Sequence, residues 1–178
     1  MRKIFTKIGS FALLMMLFGQ SVVAQSPATQ TAVDYLRQNL KTLQLTEADI
    51  SEFQVTDEVY TKHNGVTHLY MVQSVEGILV HNAMVNANIL PNGEVIHMGN
   101  KFISNLNQKV NTTTPQISME DAIVAVESHF GIYDFVPAYL TERVNDREAY
   151  FENAGLALEP IRVHLVLQPT KNQKQVRL

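Results

Sequence analysis

The chain has 178 residues and a mass of 20.0 kDa, which suits one ordinary domain or two small ones and is too short for a large enzyme. Hydrophobic residues make up 46% of the sequence and charged residues 17%, the balance of a folded chain rather than a disordered one. Because the sequence contains no Cys, disulfides, thiolate zinc sites, cysteine nucleophiles and redox dithiols are excluded.

The first 24 residues have the pattern of a secretory signal peptide. Three basic residues and no acidic one precede an apolar run from Phe11 to Phe18, which is short for a membrane span. Short side chains at Val22-Val23-Ala24 predict cleavage after Ala24; an N-terminal anchor helix is the alternative. The remaining chain carries 11 basic and 17 acidic side chains, so we expect neither nucleic acid nor a membrane surface as a partner.

The N-terminal part of the remaining chain predicts an amphipathic helix over residues 31–43. Apolar residues recur there at steps of three and four, the spacing of one buried helical stripe. They are Ala32, Val33, Leu36, Leu40 and Leu43. Thr46 and Asp49 then form a short capping box, which predicts a single helical turn before the strands begin.

Turn residues next predict an antiparallel meander. Asn64-Gly65, Glu76-Gly77 and Pro91-Asn92-Gly93 separate strand-like segments, the first two of which are residues 53–61 and 66–75. The clearest strand runs from Leu79 to Leu90, and its alternation predicts one buried and one solvated face. The core face is expected to hold Leu79, Ala83, Val85, Ala87 and Ile89, and the solvated face Asn82, Asn86 and Asn88.

A polar, almost uncharged segment at residues 104–116 is typical of a linker. A second helix is predicted from Ser118, which can cap it together with Asp121, to Gly131. Its expected buried stripe consists of Ala122, Ile123, Val126 and Phe130.

Four strand-like segments follow the second helix, at residues 138–144, 149–151, 161–168 and 173–178. Nothing caps or terminates the last of them, so we expect that strand to be cut off mid-course. The pattern as a whole predicts an α+β fold of two small units, each an antiparallel sheet with a packed helix.

Sequence motifs for chemistry are missing. The chain has no G-x-x-x-x-G-K, G-x-G-x-x-G or G-x-S-x-G segment, and none of its six His lies in H-E-x-x-H. The acidic pairs are explained locally: Asp57-Glu58 flanks a strand, and Glu120-Asp121 caps a helix. We therefore predict no catalytic residue, no metal ligand and no cofactor.

Several segments resemble the fungalysin/thermolysin propeptide (FTP) domain of secreted fungalysin-type zinc metallopeptidases. They are Leu45-Thr46, Asp49-Ile50, residues 65–73 (GVTHLYMVQ), residues 77–83 (GILVHNA) and residues 91–96 (PNGEVI). Residues 117–178 resemble a PepSY-type module, with residues 118–125 as its opening helix and residues 162–167 and 176–178 as strands.

The resemblance implies a domain order and a fold. Residues 25–45 would be the N-terminal helix of a pro-region, 46–103 an FTP-like domain, 104–116 a linker and 117–178 a PepSY-like domain. Both units would be cystatin-like or PepSY-like. The positions that match the family motif, and would serve structure or an interface, are His68, Tyr70, Gln73, Gly77, Val80 and Ala83.

The resemblance also implies a function. Such a domain inhibits a zinc metallopeptidase and assists its folding, by covering the active-site cleft of a catalytic domain in cis or in trans. The chain would then be secreted, to the periplasm or the extracellular space, and would not be an enzyme. One departure is that the H-E-x-x-H of the catalytic domain is absent from this sequence. Without Cys, inhibition could not use a thiolate on zinc.

An alternative function of another class stays open. The chain could be a freestanding extracellular binding module that holds an unrelated protein on an exposed sheet face, including Asn82, Asn86 and Asn88.

Overall fold

A computed structural model describes residues 25–131, 139–152 and 157–178. The predicted signal peptide, with its cleavage after Ala24, lies outside the described residues, as does the start of the strand predicted from Ala138. Antiparallel sheets and a few helices make up the described chain, so the predicted α+β class is confirmed. No helix among the described residues is both long and apolar enough to cross a membrane.

The N-terminal helix is confirmed with different bounds. Helix α1 spans Pro27–Gln38 and α2 spans Leu40–Leu43, so the helix predicted over residues 31–43 is interrupted at Asn39. Helix α1 begins earlier because the side chain of Ser26 caps it and a proline occupies its first position. The apolar stripe faces the first core, as predicted.

Four antiparallel strands form the first sheet, in the order β1-β2-β3-β4. They are β1 Phe53–Thr61, β2 Val66–Val75, β3 Ile78–Ile89 and β4 Val95–Asn100. All three turns lie where the sequence places them, so the predicted meander is confirmed. Helix α1 covers one face of this sheet, and the first core lies between them. This core is built from Ala32, Leu36, Leu45, Ile50, Leu69, Met71, Val85, Ala87, Ile89 and Phe102.

The alternation predicted for β3 is wrong at the beginning of the strand. Leu79 is expected in the core, but Val80 is fully buried and Leu79 only half-buried. Asn82 has a left-handed φ of 60°, and the pairing register with β2 shifts beside it. Because side chains alternate with a period of two, this irregularity exchanges the two faces. From Ala83 onward the predicted alternation is confirmed.

The segment expected to be a linker, residues 104–116, contains a short helix. Helix α3 spans Leu106–Lys109. Leu106 is 3% exposed, and Val110 packs against the same buried cluster. These two apolar side chains anchor an otherwise polar segment, which the composition of the segment alone does not show.

The second helix and sheet follow. Helix α4 spans Met119–Phe130; it begins at a capping box of Ser118 with Asp121 and ends at Gly131 with φ of 70°, as predicted. The second sheet has the antiparallel order β5-β6-β7. Its strands are β5 Leu140–Asn145, β6 Glu148–Phe151 and β7 Ile161–His164.

The buried stripe predicted for α4 is wrong in part. Ile123 is buried, but Val126 and Phe130 are 56% and 71% exposed. Glu127 takes their place and is 3% exposed. The helix turns a row of residues spaced by four toward the narrow second sheet, so a carboxylate lies on its buried side.

The strand predicted over residues 161–168 ends at His164. Leu165 and Leu167 leave the second sheet and join a core beside β3. Strands β8 Gln168–Pro169 and β9 Val176–Arg177 pair with each other. The second core consists of Ile78, Val80, Ala83, Ile103, Leu106, Leu167 and Val176. It therefore joins residues from both predicted units, while the division into domains stays a prediction.

Candidate functional site

Gln73 lies at the centre of the first unit, fully buried on β2. Its Nε2 donates to the carbonyl of Asp49 at 2.9 Å and to the carbonyl of Ile103 at 3.1 Å. Its Oε1 accepts from the N–H of Ile103 at 2.7 Å. One amide thus satisfies three buried backbone groups. Gln73 ties the 3₁₀ turn Ala48–Ile50 and the segment after β4 to the sheet.

Asp49 continues this polar cluster. It is 3% exposed, and its Oδ1 accepts from the N–H of Leu106 at 2.9 Å. Its Oδ2 accepts from the N–H and the hydroxyl of Thr46, at 2.9 and 2.8 Å. Burial raises the pKa of Asp49, but the N–H donors of Leu106, Asn105 and Thr46 together with the Thr46 hydroxyl outweigh it, so the pKa lies below its ordinary value. The predicted capping box is therefore confirmed, and it also holds α3.

Gly77 forms the turn between β2 and β3 with φ of 72°, a conformation that favours glycine. Its N–H donates to the carboxylate of Glu52. Across the turn, Nη1 of Arg147 donates to the carbonyl of Glu76 at 2.7 Å. A Cβ on Gly77 would lie 2.9 Å from that Nη1. The turn is thus a contact point between the first sheet and the loop that joins β5 to β6.

Val80 and Ala83 both lie in the second core. Val80 forms a parallel bridge with Leu167, in which the N–H of Leu167 donates to the carbonyl of Leu79 at 2.9 Å. The N–H of His81 returns a bond to the carbonyl of Leu167 at 2.8 Å. These two family-motif positions hold the C-terminal segment against β3.

His68 and Tyr70 lie on the face of the first sheet opposite α1, which we call the open face. Neighbouring strands add Asn86, Asn88 and His97 to this face. Nδ1 of His68 lies 2.8 Å from Oδ1 of Asn88, and Asn88 pairs with the exposed His97. The four residues other than His97 are half-buried, so the open face offers a row of hydrogen-bonding side chains.

Asn82 is not part of the open face, although the sequence pattern groups it with Asn86 and Asn88. Its left-handed backbone places it at the irregularity of β3, where it lines a small cavity with Lys101 and Thr170. The structure thus brings together two of the three predicted Asn. Three motif residues, Gln73, Val80 and Ala83, are at most 1% exposed.

Metal ligands do not converge in the part of the chain that the structure describes. No group of three or more His, Cys, Asp or Glu side chains is close enough there to hold a metal ion. His68 and His97 flank Asn88 from opposite strands rather than meeting each other.

Glu127 is a buried residue that the sequence pattern did not indicate. It lines a groove of about 490 Å³ between α4 and β7, among Ile123, Val126, Phe130 and Val163. Its Oε1 is buried, with no hydrogen-bond partner in the part of the chain that the structure describes. Burial raises the pKa of Glu127. The only sequence signal was its position four residues after Ile123.

Comparison with known proteins finds a family match for one segment of the chain. Residues 51–102 match the Fungalysin/Thermolysin Propeptide Motif family. This motif belongs to a propeptide rather than a catalytic domain, and it coincides with the first sheet from β1 to β4.

Curated relatives include three fungal proteins. Extracellular metalloproteinase mep of Aspergillus terreus is 41% identical over 71 residues, which is 40% of this chain and 11% of the relative. Extracellular metalloproteinase 9 of Coccidioides posadasii is 34% identical over 107 residues, 57% of this chain and 16% of the relative. Extracellular metalloproteinase 10 of Uncinocarpus reesii is 34% identical over 80 residues, 42% and 13% respectively. The chain thus spans a small part of the length of these relatives.

Proposed function

We propose that this chain is a noncatalytic propeptide module of a secreted metalloprotease. It inhibits the protease and assists its folding by covering the active-site cleft, and it acts outside the cytoplasm, in the periplasm or the extracellular space. The observation that carries the proposal is the match of residues 51–102 to a propeptide motif, over the same residues that form the first sheet. The extracellular metalloproteinases among its relatives support the choice of partner.

The open face is the surface we assign to the partner. Three buried hydrogen bonds of Gln73 anchor the sheet. The backbone that carries His68, Tyr70 and Asn88 is therefore held in place. A preorganised surface binds better because less entropy is lost on association. In the absence of any Cys, shape and hydrogen bonds must close the cleft, and His97 is the exposed imidazole on this face.

Inhibition is tested by adding the purified chain to the catalytic domain of an extracellular metalloproteinase. We expect hydrolysis of a fluorogenic peptide to slow with increasing chain, up to micromolar concentration. His97→Ala should weaken inhibition by about tenfold, as expected for the loss of a central contact. His63→Ala, an exposed histidine in the β1–β2 turn, is the matched control and should change nothing. Undiminished hydrolysis at micromolar chain would contradict the proposal.

Folding assistance needs a separate measurement. The denatured catalytic domain is refolded by dilution with or without the chain. Enzyme activity is measured after the chain has been removed by proteolysis. We expect a higher yield of active enzyme when the chain is present. Equal yields would restrict the function to inhibition.

A second function, a freestanding module that binds an unrelated protein, is favoured by exposed apolar side chains on the first sheet. Tyr60 on β1 and Ile96 on β4 are 60% and 52% exposed, and exposed apolar groups are frequent at protein interfaces. This function predicts that metalloprotease activity and refolding are both unchanged by the chain, so the same two assays separate the alternatives.

A further inference from the structure

The groove between α4 and β7 contains a buried carboxyl group that has no partner among the described residues. Glu127 is 3% exposed, and its Oε1 has no hydrogen-bond partner within residues 25–131, 139–152 and 157–178. Glu127 also takes part in none of the ion pairs among the described residues. A buried carboxylate without a partner is costly, so a site of this kind is completed by a cation or by a proton.

The two basic residues that line the groove, Arg162 and His164, form no ion pair with Glu127. Arg162 lines the groove from β7, but its Nε donates to Glu148 at 2.7 Å. This bond holds the pKa of Glu148 below its ordinary value, so the two charges neutralise each other. His164, on the same strand, also lines the groove, but it forms no ion pair with Glu127. Since the described residues supply no cation to Glu127, we look for one on another molecule.

The walls of the groove select the kind of cation. Ile123, Val126, Ile161 and Val163 provide apolar surface beside the carboxylate. Phe130 lies at the groove and is 71% exposed, and its ring meets that of His129 edge to face at 5.3 Å. An aliphatic stem fits such walls, and a guanidinium stacks on an aromatic ring and is more weakly hydrated than an ammonium.

We propose that this groove receives an arginine side chain of a protein partner. The guanidinium pairs with the carboxylate of Glu127 and stacks on the ring of Phe130, while the aliphatic stem of the arginine lies along Val126. The site is on the second unit, in a segment outside the matched propeptide motif. It does not depend on inhibition through the open face, so each proposal can fail without the other.

The test uses the purified full chain and the peptide acetyl-Ala-Arg-Ala-amide. Its control peptide carries citrulline, which keeps the shape of arginine without the charge. We expect saturable NMR shifts of the Ile123 and Val163 methyl groups with the arginine peptide at millimolar concentration, and none with the citrulline peptide. Absence of shifts with the arginine peptide, or equal shifts with both peptides, would overturn the proposal.

Variants locate the binding. Glu127→Gln should weaken arginine-peptide binding by at least about tenfold, since a charge-assisted pair is lost. Phe130→Ala should weaken it by about threefold. Glu120→Gln is the matched control, an exposed glutamate of the same helix, and should leave binding unchanged. Glu127→Gln keeps the size of the side chain and breaks no hydrogen bond of Oε1 among the described residues, so unchanged binding in a folded Glu127→Gln chain would overturn the proposal.

Discussion

Gln73 and Ile103 exchange two hydrogen bonds as if the glutamine side chain were a strand backbone. The N–H of Ile103 donates to Oε1 at 2.7 Å, and Nε2 donates to the carbonyl of Ile103 at 3.1 Å. The same Nε2 also reaches the carbonyl of Asp49. The amide of Gln73 thereby joins β2 to Ile103, which lies after β4 and belongs to none of the described strands.

Replacement of Gln73 should therefore be among the most damaging single changes in the first unit. Gln73→Leu keeps most of the volume but leaves three backbone groups buried and unpaired, so we expect the free energy of unfolding to fall by about 3 kcal/mol or more. Urea denaturation measures this change. Gln54→Leu, at an exposed position on β1, is the control and should change the unfolding free energy by less than about 0.5 kcal/mol. Equal effects of the two substitutions would show that the buried bonds contribute nothing.

Asp49 makes stability depend on acid pH. Its pKa in the folded chain lies below the ordinary value of 3.8, so the ionised form is favoured by folding. The resulting stabilisation is present above the unfolded pKa and is lost as pH falls through the folded pKa. Asp49→Asn should lower the free energy of unfolding at neutral pH by about 2 kcal/mol and reduce the loss of stability below pH 3.8.

Denaturation of both proteins across the acidic range checks this expectation. Asp57→Asn, at an exposed position on β1, serves as the control. Its free energy of unfolding should depend on pH as that of the wild type does. A profile for Asp49→Asn that runs parallel to that of the wild type would show that Asp49 is not the group responsible.

Local signals in the sequence predict most of the elements correctly, and long-range contacts account for the errors. The capping box at Ser118 and the turn at Gly77 depend on neighbouring residues, so the chain shows them directly. The side of β3 that Val80 occupies depends on an irregularity at Asn82, which alternation alone does not reveal. Glu127 is buried because of how α4 rests on a narrow sheet, a tertiary effect that overrides polarity.

The sequence likewise predicts only part of the candidate site. Gln73 is conspicuous in the motif, but its three partners come from residues 49 and 103, which no local pattern connects. The open face is foreseen from the alternation of Asn86 and Asn88. The burial of Glu127 follows from the packing of α4 on the second sheet, which no local pattern in the sequence shows.

Leu167 should couple the C-terminal segment to the first sheet. It is fully buried and bridges to Val80 through two backbone hydrogen bonds. Leu167→Ala should lower the free energy of unfolding by about 3 kcal/mol. It should also speed amide exchange at His81, whose N–H donates to the carbonyl of Leu167. Leu158→Ala is the control, since that leucine is fully exposed.

Amide exchange at His81 decides whether the two units are coupled. If Leu167→Ala lowers stability while exchange on β3 stays at the wild-type rate, the C-terminal segment unfolds by itself and the two units are independent. If both change together, the second core joins them into one cooperative structure.

The turn at Gly77 offers a comparison with Gly93, because both have left-handed backbones, with φ of 72° and 82°. Alanine at either position should cost about 1 kcal/mol through backbone strain. A Cβ at Gly93 meets no atom within 4 Å, whereas one at Gly77 lies 2.9 Å from Nη1 of Arg147. Gly77→Ala should therefore cost more, since it also displaces the bond from Arg147 to Glu76. In an Arg147→Ala background the two glycine substitutions should become equal in urea denaturation; a persistent difference would place the extra cost in the turn itself.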